Sequence, residues 1–152
     1  METLTNLDEK TADRLKRLAQ LNRDAAKGYE TAAGDVNDEA MAGVFRAASH
    51  ERGRMADELA EALELDKDEA PDEGTTAGWA HRWWLDLRSK LNAGNPRVVL
   101  IEATRGENAL IEAYEDVVMD ARGRAINPML HQHIQTIRET RNRLEALQDE
   151  HK

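Results

Sequence analysis

Residues 97–118 read RVVLIEATRGENALIEAYEDVV, and Leu100, Ala103, Ile111, Tyr114 and Val118 recur at helical spacing along one apolar stripe. Glu107 falls inside that stripe, within about 20° to 40° of its apolar members at 100° per residue. A carboxylate in that position is removed from water and requires a cation from elsewhere in the fold. The segment is therefore a helix with one buried charge. It starts after Gly94-Asn95-Pro96 and ends near Arg122-Gly123.

Three further long stripes surround it. From about Asn6 to Asp35 the stripe is Leu15, Leu18, Ala25, Tyr29, Ala32 and Val36. Asn37-Asp38 breaks that pattern and supplies N-cap side chains for Met41, Phe45, Ala48, Met55, Leu59 and Leu63. Pro128 opens the last stripe: Leu130, Ile134, Ile137, Leu144 and Gln148. Between the second and third stripes lie roughly 30 residues, about 65–96, too many for a simple up-down connection. They comprise a charged stretch, Asp66 to Gly74, and a short helix expected over Trp79 to Leu91 and capped by Thr75 or Thr76. No strand pattern appears. The spacing predicts a single all-α domain over 1–152: a four-helix bundle made of two αα-hairpins joined by a long crossover that contains the short helix.

Composition narrows the function classes. There is no cysteine, which excludes disulfides, zinc-thiolate sites and a thiol nucleophile. A net charge of −9 without a basic stripe argues against DNA or RNA as partner. No run approaches the roughly 18 apolar residues of a membrane span, and Met1 to Lys10 has no apolar core of a signal peptide; the expectation is a cytoplasmic protein. Although 34% of the residues are charged, the apolar ones recur with helical period, which predicts folding and not disorder.

Polar residues stand inside other stripes too. Arg52 lies among Phe45, Ala48, Met55 and Leu59, Arg141 among Ile134, Ile137 and Leu144, and Asn22 between Leu15 and Tyr29; His133 lies near the edge of the last stripe. Asn22 precedes Tyr29 by seven residues as Glu107 precedes Tyr114, and Arg52 and Arg141 occupy matching places in the second and fourth helices. An internal repeat with pseudo-twofold symmetry accounts for this. The expected core polar network is Glu107, Arg52, Arg141, Asn22, Tyr29 and Tyr114, with Glu107 paired to one or both arginines.

On these residues the chain resembles the ferritin-like superfamily, whose four helices carry Glu seven residues before an aromatic on helices one and three and Glu-x-x-His on helices two and four. Of those ligand positions Glu107 alone is matched. Arg52-Gly53-Arg54-Met55 and Arg141-Asn142-Arg143-Leu144 stand where Glu-x-x-His should, and Asn22 stands where a Glu should. More closely, Gly28-Tyr29-Glu30, His81-Arg82-Trp83-Trp84 and Gly106-Glu107 resemble an uncharacterised bacterial family of ferritin-like bundles, over about residues 6–149. The resemblance implies a ferritin-like fold and no particular activity.

Two arginines in the central layer oppose a di-iron or di-manganese centre, so no cofactor is expected. Were a metal held, its candidates would be Glu107, Glu30 and Glu51. His131 and His133, two apart, do not share a helix face as a metal clamp requires. No glycine-rich phosphate loop or nucleophile–base pair is visible. All three tryptophans, Trp79, Trp83 and Trp84, cluster beside His81 and Arg82, and this group is the candidate interface. The expected function is non-enzymatic association, as a homodimer or with a protein partner, on a scaffold with a degenerate metal site. The alternative is a metal-binding ferritin-like oxidoreductase or iron-storage protein.

Overall fold

The computed structural model describes residues 9–63 and 75–151, without the side chains of 75–81 and 84. Five α-helices and no strand make up the described residues: α1 (Glu9–Asp35), α2 (Glu39–Ala62), α3 (Thr75–Ala93), α4 (Pro96–Asp120) and α5 (Asn127–Glu150). The four stripes become α1, α2, α4 and α5. The helix expected over Trp79 to Leu91 extends further at both ends as α3. Segment 64–74, which contains the whole of the expected charged stretch Asp66 to Gly74, lies outside the described residues.

Local chemistry sets the boundaries. Asp38 stays extended and its side chain accepts from the Met41 amide at 3.0 Å, which starts α2 after a three-residue break. Asn95 does the same for α4, accepting from the amides of Arg97 at 3.1 Å and Val98 at 3.4 Å, with Pro96 in the first turn. Gly94 turns the chain out of α3 with φ of 79°, a conformation that side chains with a Cβ disfavour. Asn127 closes the α4 end by donating to the carbonyls of Val118 at 3.3 Å and Ala121 at 3.2 Å.

α1 lies chiefly against α2 and α4 against α5, with thinner seams between α1 and α4 and between α2 and α5; α3 packs on α1 and α4. The core has two parts. One gathers Leu15, Leu18, Leu59, Leu110, Ile111 and Ile134, the other Tyr29, Phe45, Trp83, Leu87, Leu100 and Leu144. Along the chain Asn22, Arg52 and Glu107 each stand between members of the two clusters, so a polar layer separates them. No described helix is long and apolar enough to cross a membrane.

Candidate functional site: a buried polar layer

The helical phase of α4 that buries Leu100, Ala103 and Ile111 also buries Glu107, which is 2% exposed. Arg52 of α2, fully buried, donates from Nη2 to Glu107 Oε2 at 2.9 Å, and Tyr29 of α1 donates from its hydroxyl to Oε1 at 2.5 Å. The carboxylate thus has one charged and one neutral donor, from two different helices. Burial and the adjacent carboxylate raise the Tyr29 pKa well above its ordinary value despite the opposing pull of Arg52, so the phenol keeps its proton and donates. Glu107 and Tyr29 hold Arg52 above the ordinary arginine value against desolvation, and the guanidinium stays charged.

The other half of the layer is neutral. Asn22 Nδ2 donates to the Leu18 carbonyl at 2.9 Å and to the Tyr114 hydroxyl at 2.8 Å. Tyr114 in turn meets His133 Nδ1 at 2.9 Å, and His133 Nε2 meets Glu58 Oε1 at 3.4 Å. The partners assign the tautomer: facing a carboxylate, Nε2 carries the hydrogen, so Nδ1 accepts from the Tyr114 hydroxyl. Burial pushes the His133 pKa down, with Arg54 and Arg52 adding to the shift and Glu58 opposing it, so the ring is neutral at pH 7. Burial likewise raises Tyr114. Each tyrosine therefore bonds the residue that stands seven positions before the other: Tyr29 bonds Glu107, Tyr114 bonds Asn22.

Arg141 does not join this layer, contrary to the sequence expectation. It is half-buried, donates from Nη1 to Asn108 at 3.3 Å and lies 4.0 Å from Glu145. The reason is electrostatic. A cation can enter the interior only beside a countercharge, and the place on α1 that would supply it holds the neutral Asn22. Thr140 and Leu144 take the buried positions of α5 instead. His133, noted at the edge of its stripe, and Glu58 were not expected as members of the network, since their pairing joins α5 to α2 and periodicity within one helix does not record it.

For Trp83 the interface expectation needs correction. Trp83 is 7% exposed and belongs to the core, edge-on to Tyr29 with ring centroids 5.7 Å apart, and its Nε1 donates to the Glu102 carbonyl at 3.2 Å. Gly106 is what makes room: a Cβ there would stand 2.0 Å from Trp83 Nε1. Burying the indole contributes on the order of 2–3 kcal/mol to the chain's own fold. Arg82 is exposed, and the side chains of Trp79, His81 and Trp84 lie outside the described residues.

The interior donor set does not fit a divalent metal. Both Glu107 oxygens and both His133 nitrogens are engaged, Asn22 Oδ1 is a neutral buried acceptor, and Arg52 places a fixed positive charge among them. Glu30 is exposed, and Glu51 accepts from Thr140 at 3.1 Å with Arg143 at 3.9 Å, so the structure does not gather Glu107, Glu30 and Glu51. Among the described residues no three His, Asp or Glu side chains cluster as a metal site would need. Residues 10–120 match a family described as a domain of unknown function (DUF2383), as the expected membership in an uncharacterised family required. No curated protein and no solved structure matches the chain.

Proposed function

The chain belongs to the DUF2383 family, whose pattern spans residues 10–120, and from that premise we propose a non-enzymatic bundle that acts by association, as a homodimer or with a protein partner. The observation that carries this reading is the Arg52 guanidinium 2.9 Å from Glu107 in the interior. An organic cation, anchored by its own helix, takes the counterion role that a metal would otherwise serve. Among the described residues the polar layer then offers no open coordination position, and what the protein recognises meets its surface. Exposed apolar residues on that surface include Leu85, Ile101 and Met119.

The proposal includes a ferritin-like arrangement of two αα-hairpins, α1–α2 and α4–α5, with α3 in the crossover. Supporting it are the preferred packing of α1 on α2 and of α4 on α5, and the reciprocal tyrosine bonds across the layer. It also includes a cytoplasmic location. Elemental analysis of natively purified protein together with its solution mass tests the reading. We expect a dimer or a larger complex without stoichiometric iron or manganese. About two iron atoms per chain, the content of a di-iron bundle, would instead support an oxidoreductase or storage protein.

A further inference from the structure

A helix keeps its place through what it buries. Among the described side chains of α3, Trp83 and Leu87 are buried and Leu91 is partly so, whereas α1, α2, α4 and α5 each bury a stripe along their length. The ion pair between Asp86 and Arg105 joins α3 to α4 at the surface, with side chains 57% and 63% exposed, where such pairs hold little. Among its described side chains, one indole and one leucine are what α3 buries fully.

The indole also divides two spaces. Outside it lies a cleft of about 150 Å³ bordered by Arg82, Asp86, Arg105 and Ala109. Behind it lies a slot of about 10 Å³, the room of about one water molecule, walled by Leu21, Ala25 and Leu110 and ending on Tyr29 and Glu107. Gly106 borders both spaces, and its bare backbone is the seat on which the ring lies. The hydrogen bond from Nε1 to the Glu102 carbonyl fixes the ring in that seat.

We propose that α3 is a releasable strap with Trp83 as its latch. Release joins the outer cleft to the inner slot and admits solvent to Glu107 and Tyr29, while α1, α2, α4 and α5 stay folded. Local openings of this kind draw on segments with few buried apolar contacts, and the described side chains of 82–93 have few. The latch is specific: a methyl group at position 106 displaces the indole, because 2.0 Å is far inside van der Waals contact.

Hydrogen exchange on the full chain, read peptide by peptide, tests the strap, and carbodiimide labelling of carboxyl groups with glycine ethyl ester tests the slot. In the wild type, amides of 83–93 should exchange on the order of 100-fold faster than the slowest amides of the four long helices. In Gly106→Ala, α3 should lose protection, the other helices should retain theirs, and labelling at Glu107 should rise at least about tenfold, the difference between a closed and an open local state. Trp83→Ala should reproduce both changes, and it decides the matter if Gly106→Ala does not fold. Equal loss of protection in all five helices of both variants would make α3 an integral part of the core and overturn the proposal. So would α3 release with Glu107 still unlabelled.

Discussion

Tyr29 and Tyr114 are both fully buried, on α1 and α4, and both face across the bundle, yet their partners differ in kind. Tyr29 serves an ion pair; Tyr114 serves a neutral amide and a neutral imidazole. The difference shows how an interior tolerates polarity. A charge is admitted together with its countercharge, here even with the Arg52 Nε left without a partner among the described residues, and each member then depends on the others. A neutral group needs only its hydrogen bonds, and losing one strands less. Two halves that match in sequence spacing are thus unlike in energetics.

The largest expected contrast is between Glu107→Ala and Asn22→Ala. Removing the carboxylate leaves Arg52 charged and buried, and denaturant unfolding should record a loss of about 3–5 kcal/mol. Removing the amide should register about 1–2 kcal/mol. Equal losses would mean that the two halves do not differ as described. A smaller contrast is expected between the tyrosines. Tyr29→Phe removes a donor from a charged acceptor and should lower stability by about 2–3 kcal/mol, against about 1 kcal/mol for Tyr114→Phe, whose bonds are to neutral groups.

The smallest effect concerns pH and belongs to the neutral half. The folded pKa of His133 lies below its ordinary value near 6.5, so the unfolded chain binds more protons in that range. The stability that depends on a neutral ring is therefore present above about pH 6.5 and is lost as the pH falls toward the depressed folded value. His133→Gln, which does not titrate, should flatten the stability profile between about pH 7 and 5. An unchanged slope would show that the acid sensitivity of the bundle arises elsewhere.

Periodicity along one helix sufficed to place Glu107, Arg52 and Asn22 inside, because burial of a helical residue follows from its angle to neighbours on the same helix. It failed for Arg141, whose angle is favourable but which has no countercharge within the layer. That absence depends on α1, and no pattern within α5 records it. Glu58, and the pairing of His133 with it, escaped for a similar reason: that contact joins α5 to α2. Trp83 was placed at an interface because clustered tryptophans often anchor partners. Its partner is Gly106 of its own chain, and the one hint available was a glycine immediately before the carboxylate in an otherwise well-formed helix. The four long helices were legible since turn signals and stripes agree. The α3 boundaries were less so because Gly94, and not the end of the apolar pattern, terminates that helix.

A double-mutant cycle on Glu107 and Arg52, followed by denaturant unfolding, tests the central claim most directly. Glu107→Leu and Arg52→Met should each lower stability by about 3–5 kcal/mol, because each strands the other's charge. The double variant, with an apolar pair of similar volume, should lose less than either single. Losses that add to within about 0.5 kcal/mol would show two independent residues and contradict an interior built around one ion pair.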